Sequence, residues 1–179
     1  MKPDKKRLSL DLFADADFAG LFASEDRKDP ISVKSRTGVL LTFGGVPIFW
    51  SSKLQTEIAL STLEAEYIAL SQGMRELVAA RWLLIELTQH MGFKIANVSY
   101  VCKACEDNTG TQNLANSKGP LMTTRTKHIG IKYHWFRSLI EPNKIEVHRI
   151  DAKRQKADIF TKGLTRFNFE SVRFLVMGW

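Results

Sequence analysis

The sequence predicts a mixed α/β domain in which helices cover the faces of a sheet. Two β-rich runs, residues 37–43 and 46–51, are separated by Gly44-Gly45, which indicates a hairpin. After them the apolar spacing becomes three and four residues, which predicts a long helix from about Leu63 to Gly92. Short strands and helices alternate over the remainder, so the predicted order is βββαβααβα.

The other elements are assigned from the same kinds of pattern. Residues 8–14 are mostly apolar and predict a first strand, whereas residues 16–34 are charged and read as a long loop. Strands are also predicted at 98–102 and 145–150, and helices at 107–116, 129–140, 152–162 and 167–179. We therefore expect a polar lead-in over residues 1–9, one domain over 10–164 and a C-terminal helical extension over 165–179.

The composition is that of a folded domain with a net positive charge and without a predicted membrane span. The chain has 179 residues, 44% of them hydrophobic and 25% charged, which is typical of a folded domain of ordinary size. Apolar runs stay shorter than the roughly 18 residues of a membrane span, so no membrane partner is expected. The basic start, Met1 to Arg7, does not resemble a signal peptide. The net charge of +7 favours a polyanionic partner.

The two cysteines, Cys102 and Cys105, form a C-x-x-C pair. Such a pair is found in redox sites and as half of a zinc site, but a second Cys or His pair at ligand spacing is missing from the sequence. We therefore expect two reduced thiols at the end of a strand, in an intracellular compartment.

Carboxylates occur at four places where strands end or helices begin. Hydrolysis of phosphodiesters with two metal ions requires several oxygen ligands at one point, and Mg²⁺ prefers oxygen ligands. Each acid has an ordinary alternative role as a turn, cap or solvated helix residue, so their joint arrangement is the informative feature. The candidates are Asp15, Asp17, Glu64, Glu66, Glu106, Asp107 and Asp158.

Local chemistry separates the two glutamates at the start of the long helix, Glu64 and Glu66. Ser61 is a natural N-cap and Glu64 follows three residues later, as in the S-x-x-E capping box. Glu64 therefore already has a structural role. Glu66 lies roughly 200° around the helix from Glu64 and needs another explanation.

Six motifs occur in the order found in one family. They are residues 15–20 (DADFAG), 35–38 (SRTG), 60–67 (LSTLEAEY), 106–108 (EDN), 125–129 (RTKHI) and 157–162 (ADIFTK). On these motifs the chain resembles the ribonuclease H domain that ends the polyprotein of copia-type LTR retrotransposons. The resemblance extends from about Leu10 to Trp179.

The resemblance implies a fold, a reaction and a set of ligands. The implied fold is that of ribonuclease H, a five-stranded mixed sheet with three antiparallel strands before two parallel ones. The implied activity is hydrolysis of the RNA strand of RNA/DNA hybrids with two Mg²⁺ ions, for which Mn²⁺ can substitute. Matched motif by motif, the catalytic and metal-binding carboxylates are Asp15, Glu66, Asp107 and Asp158, and Glu106 is the less favoured neighbour of Asp107.

Two departures from the family pattern are visible. Cellular relatives have a histidine, associated with product release, in the loop before the last aspartate, whereas residues 150–155 of this chain contain none. Leu63 stands where a threonine is usual in copia-type domains. The first departure concerns the turnover rate, which the sequence leaves open, and neither departure touches the four carboxylates.

Basic and polar residues suggest how a hybrid would be held. The resemblance implies phosphate contacts by Arg125, Lys127, Lys132, Lys153 and Arg154, and groove contacts by Asn108 and Gln112. Recognition through 2′-hydroxyls and groove shape predicts little base specificity. We expect a monomeric domain, fused to or acting beside a reverse transcriptase, in the cytoplasm or in virus-like particles.

Two other functions fit the same fold. A non-catalytic module that binds or tethers hybrids would be expected to have lost a carboxylate, and none of the four is missing. An integrase or transposase core would have the order Asp, Asp, Glu with the glutamate last. This chain has glutamate second and aspartate last, so the nuclease is the favoured interpretation.

Overall fold

The computed structural model describes residues 9–22, 28–91, 101–117, 133–141 and 144–179. Five strands form one sheet in the order β3-β2-β1-β4-β5. The strands are β1 (Ser9–Asp17), β2 (Arg36–Phe43), β3 (Val46–Leu54), β4 (Val101–Glu106) and β5 (Ile145–Arg149). The α-helices of the described residues are α1 (Thr62–His90), α2 (Thr109–Asn116) and α3 (Arg166–Met177), and the 3-10 helices are η1 (His134–Leu139), η2 (Ala152–Arg154) and η3 (Lys156–Phe160).

The strand directions are those predicted. β1, β2 and β3 are antiparallel neighbours, whereas β4 is parallel to β1 and β5 is parallel to β4. The turn between β2 and β3 has Gly44 and Gly45 at φ of 57° and 81°. Two residues of positive φ suit the tight turn of a twisted hairpin, which explains the glycine pair.

Each face of the sheet has its own core. α1 covers one face, where the buried cluster includes Leu10, Leu12, Ala16, Tyr67, Leu70 and Met74. α3 and η3 cover the opposite face with a smaller cluster of Phe13, Leu40, Cys105, Ala157, Val172 and Val176. Because side chains alternate along a strand, β1 contributes to both cores, and its odd-numbered positions, Asp15 among them, share the face of Phe13.

Several element boundaries differ from the sequence-based prediction. The apolar run of β1 covers residues 8–14, and the strand continues past it to Asp17 because its pairing with β2 continues to Arg36. Residues 152–162 were predicted to form one helix, and instead form two 3-10 helices separated by Gln155, whose backbone is extended. Of the predicted helix 129–140, residues 129–132 lie outside the described part of the chain, and His134–Leu139 form the 3-10 helix η1. The strand predicted at 98–102 is described from Val101 and extends to Glu106.

The two cysteines are free and buried, as expected. Three residues apart on β4, they point to opposite faces, Cys102 into the larger core and Cys105 into the smaller one. Burial raises the pKa of Cys102 to about 11 and that of Cys105 to about 12. Within the described ranges, no helix is both long and apolar enough to cross a membrane.

Candidate active site

Three of the four predicted carboxylates converge at the end of the sheet. Asp15 lies in β1, Glu66 in the second turn of α1 and Asp107 directly after β4. One carboxylate oxygen from each lies within 4.8 Å of the others. The parallel pairing of β1 and β4 accounts for this meeting, because it brings Asp107 to the same edge of the sheet as Asp15.

The backbone of β1 helps to hold this group. β1 pairs with β4 up to Phe13, but with β2 up to Asp17, so one edge of its last residues is free of strand pairing. On that edge the N–H of Ala16 donates to Glu66 Oε2 at 2.9 Å, and the carbonyl of Ala14 accepts from Gln155 Nε2 at 2.9 Å. The side chains of Glu66 and Gln155 thus form hydrogen bonds with backbone groups of β1 that have no partner on a neighbouring strand.

The fourth carboxylate, Asp158, is joined to Asp15 through a lysine. Lys162 Nζ lies 2.8 Å from Asp158 Oδ1 and 3.2 Å from Asp15 Oδ1. The hydroxyl of Thr161 also donates to Asp15 Oδ2. Asp158 does not belong to the group of oxygens within 4.8 Å, so the structure relates it to the others through Lys162.

Gly38 allows η3 to come this close to Asp15. It is the partner of Asp15 in the β1–β2 pairing. A Cβ atom at Gly38 would lie 2.6 Å from Thr161 Cγ2 and 2.9 Å from the Ala157 carbonyl oxygen. Any larger residue would push η3, and Asp158 with it, away from β1.

The site is electrostatically strained without a cation. Burial, reinforced by the charges of Asp15 and Asp107, raises the pKa of Glu66 to about 9. Burial, followed by the charge of Glu66, also raises the pKa of Glu106 well above its usual range. Glu106 Oε2 is buried and has no hydrogen-bond partner among the described residues. Both shifts favour the protonated form of these carboxyl groups, and a positive charge placed among them would lower both pKa values.

The two glutamates near the start of α1 have the separate roles that the capping pattern predicts. Ser61 is the N-cap, and its hydroxyl accepts from the N–H of Glu64 at 3.2 Å. The Glu64 carboxylate accepts from the N–H of Leu60 at 2.8 Å, one residue before the N–H used in a standard capping box. Glu66 points instead to β1.

The predicted nucleic-acid contacts are only partly within the described residues. Lys153 and Arg154 are exposed in η2, beside the segment that carries Asp158. Asn108 is the N-cap of α2, its side-chain oxygen accepting from Thr111 N–H at 3.1 Å, and Gln112 is half-buried in the same helix. Arg125, Lys127 and Lys132 lie outside the described residues.

Three residues that contact the carboxylates were missed from the sequence. They are Gln155, Thr161 and Lys162. Lys162 had a usable signal, since it follows Asp158 by four residues, the spacing of helical ion pairs. The partners of Thr161 and Gln155 on β1 are 146 and 141 residues away, and no local pattern indicates them.

Sequence comparison relates the chain to transposon polyproteins. It is 37% identical over 164 residues to the retrovirus-related Pol polyprotein from transposon TNT 1-94 of Nicotiana tabacum. It is 32% identical over 164 residues to that from transposon RE1 of Arabidopsis thaliana. The alignments cover 92% of this chain but 11% and 10% of the two relatives. No protein-family model matches the sequence.

Structural comparison identifies the fold. The N-terminal RNase H domain of Rv2228c from Mycobacterium tuberculosis matches with a TM-score of 0.52 and 11% identity, over 92% of this chain and 96% of that one. LC11-RNase H1, isolated from compost, matches with a TM-score of 0.50 and 18% identity, over 87% and 92%. The resemblance seen in the motifs is confirmed: the chain is homologous to one segment of the retrovirus-related Pol polyproteins of transposons, and its fold is the ribonuclease H fold.

Proposed function

We propose that this protein is a ribonuclease H, which hydrolyses the RNA strand of RNA/DNA hybrids with two divalent metal ions. One observation carries the proposal, namely that carboxylate oxygens of Asp15, Glu66 and Asp107 lie within 4.8 Å of one another on a ribonuclease H fold. Homology to Pol polyproteins supports a role in reverse transcription, where such hybrids arise.

The residues present fit Mg²⁺ or Mn²⁺. All the donors are carboxylate oxygens, which these hard cations prefer. The pKa of Glu66 is raised by burial and by the charges of Asp15 and Asp107, and a cation would offset both. Asp15, Glu66 and Asp107 would hold metal, and Asp158, joined to Asp15 through Lys162, would complete the set. Bound metal would supply an activated water and stabilise the leaving oxygen, giving a 3′-hydroxyl and a 5′-phosphate.

The chain's own residues would keep the carboxylates in place and hold the hybrid. The Ala16 N–H orients Glu66, while Thr161 orients Asp15. We propose that Lys153 and Arg154, with Arg125, Lys127 and Lys132, neutralise backbone phosphates, and that Asn108 and Gln112 reach the groove. Phosphate contacts of this kind predict affinity that falls steeply with salt and depends little on sequence.

The setting follows from the relatives. Because the homologous segment is part of a Pol polyprotein, we propose that the domain acts fused to or beside a reverse transcriptase. The compartment would be the cytoplasm, or virus-like particles within an active element.

Cleavage of a labelled RNA/DNA hybrid tests the proposal. Cuts should appear in the RNA strand with Mg²⁺ or Mn²⁺, disappear in EDTA, and persist with a chelator selective for zinc. The matched DNA and RNA duplexes should stay intact. Binding of the hybrid without cleavage in either metal would favour the non-catalytic alternative, and full activity in excess EDTA would exclude metal catalysis.

A further inference from the structure

Gln155 is a buried side chain that is not one of the four carboxylates, but it contacts three of the segments on which they lie. Gln155 is fully buried, with 0% of its surface exposed, between η2 and η3. Its Nε2 donates to the Ala14 carbonyl at 2.9 Å and to Asp107 Oδ1 at 3.3 Å. Its Oε1 accepts from the Ala157 N–H at 3.3 Å. Gln155 thus joins β1 beside Asp15, the end of β4, and η3 beside Asp158.

The chemistry of these partners requires an amide in one orientation. The Ala14 carbonyl and the Asp107 carboxylate are acceptors, so both need a donor, whereas the Ala157 N–H needs an acceptor. A primary amide has two N–H donors on one atom and an acceptor on the other, which matches the three partners. Rotating the amide by 180° would place oxygen against two acceptors, so the partners lock the side chain.

Asp107 depends on this contact more than Asp15 depends on either of its own. Asp15 is held by Thr161 and Lys162, and its backbone is paired within the sheet. Asp107 follows the last residue of β4, and its carboxylate has Gln155 as its single hydrogen-bond donor among the described residues. The direction of Asp107 is therefore determined largely by Gln155.

We propose that Gln155 is a positioning residue that aims Asp107 at Asp15 and Glu66 and thereby raises the affinity of the site for divalent metal. The inference rests on the proposed function. Partners that hydrogen-bond to metal ligands typically contribute 10–100-fold to metal affinity, because they remove the freedom of the ligand to turn away.

The chain offers a matched control for a purely structural role. Gln55 is also buried, with 1% exposure, and its Nε2 donates to Thr37 Oγ1 at 3.1 Å and to the Ala65 carbonyl at 2.9 Å. It makes the same kind of cross-linking hydrogen bonds as Gln155, but none of them goes to a carboxylate of the described residues. Replacement of either glutamine by Met removes two donors at nearly constant volume.

The experiment compares Gln155→Met and Gln55→Met in the full chain. Mn²⁺ affinity is measured by calorimetry, unfolding is measured in EDTA, and hybrid cleavage is followed against Mg²⁺ concentration. Both variants should unfold more easily in EDTA. Gln155→Met alone should bind Mn²⁺ about 10–100-fold more weakly and need a correspondingly higher Mg²⁺ concentration for half-maximal cleavage. Unchanged Mn²⁺ affinity in Gln155→Met would overturn the inference.

Two further measurements keep the test decisive. In an Asp107→Asn background, Gln155→Met should weaken Mn²⁺ binding no further, because the side chain that it positions is no longer a charged ligand, whereas an additive loss would overturn the inference. If Gln155→Met fails to fold, Gln155→Asn, which is one methylene shorter, replaces it with the same expected loss. A wild type that neither binds Mn²⁺ nor cleaves hybrid overturns the proposed function as well.

Discussion

The carboxylates of the site differ in whether a cationic side chain of the protein lies beside them. Asp158 is paired with Lys162, an ammonium group of the chain itself. Glu66 and Asp107 make no ion pair within the described ranges, and the pKa of Glu66 rises to about 9 through burial and the neighbouring acids. Although burial opposes its charge, Lys162 has a raised pKa, because Asp15 and Asp158 lie against it.

This difference indicates which half of the site needs an external cation. Burial raises the pKa of Asp158 too, but Lys162 lies beside it and opposes that shift, whereas the Glu66 half has no such counter-charge within the described ranges. Asp15 belongs to both halves, since it contacts Lys162 and lies in the group with Glu66 and Asp107. A metal ion at the site would therefore find Glu66 and Asp107 without a counter-charge, whereas it would have to compete with Lys162 for Asp158.

Replacement of Glu66 should have the largest effect on activity. Glu66→Gln retains size and helix propensity but removes the charge that the proposed metal ligand would supply. We expect hybrid cleavage at saturating Mg²⁺ to fall by more than about 100-fold, which is the upper range for loss of a residue that hydrogen-bonds to a metal ligand. Glu64→Gln, which preserves a capping side chain, should retain most of the activity. The reverse result would show that Glu64 is the ligand.

In the absence of metal, the stability of Glu66→Gln should depend on pH differently from that of the wild type. The folded-state pKa of Glu66 lies above its ordinary value of 4.5, so the folded protein retains a proton that the unfolded chain releases. The wild type should therefore lose stability as the pH rises from about 4.5 towards 9, by up to about 1.4 kcal/mol per pH unit from this group.

Glu66→Gln should be free of that loss. Its free energy of unfolding, measured with urea in EDTA, should exceed that of the wild type by a margin that grows between pH 5 and pH 8.5. Saturating Mn²⁺ should stabilise the wild type more than the variant. A margin that stays constant with pH would mean that Glu66 carries no retained proton.

Removal of Lys162 should lower the stability of the metal-free protein, whereas Glu66→Gln should raise it, and the change should be smaller. Lys162→Met leaves Asp15 and Asp158 without their shared cation, so the metal-free protein should lose about 1–3 kcal/mol at pH 7, between the values for exposed and buried pairs. Mn²⁺ should bind this variant more tightly, because it no longer competes with the ammonium group. Urea unfolding and calorimetry test both points, with Lys153→Met as the control at an exposed lysine. Unchanged stability in EDTA would show that Lys162 does not balance the site.

The smallest effect is expected at the helix cap. Glu64→Ala removes the acceptor for the Leu60 N–H and should destabilise the protein by about 1 kcal/mol or less, as for the loss of other helix caps. The cleavage rate of the folded variant should change little. A steep loss of cleavage without a change in melting temperature would contradict a structural role for Glu64.

Much of the fold could be predicted because its signals are local. The β2–β3 hairpin was indicated by Gly44-Gly45, and the start of α1 by Ser61 and Glu64. The apolar pattern of β1 stops at Ala14, and pairing with the neighbouring strand β2 extends the strand to Asp17. The single helix predicted over 152–162 was wrong, because the backbone of Gln155 is extended and interrupts it. The buried side chain of Gln155 accepts the hydrogen bond from the Ala157 N–H at the start of η3.

The candidate ligands were predicted from the family motifs, and local capping chemistry separated Glu64 from Glu66. Their environment was not predicted. Contacts of Asp15 with Thr161 and Lys162, and of Asp107 with Gln155, join residues 146, 147 and 48 positions apart. Nothing in the immediate neighbourhood of these residues specifies such partners.

The sequence by itself determined the features that arise within a few residues, namely turns, helix caps, the strand and helix periods, and the order of motifs that relates the chain to transposon Pol polyproteins. Tertiary structure alone decided how closely the carboxylates approach and which of them receives a counter-charge. The physical reason is that backbone geometry and capping act over a few residues. The site instead depends on β4 lying parallel beside β1 and on η3 packing against Gly38, which only the complete sheet can bring about.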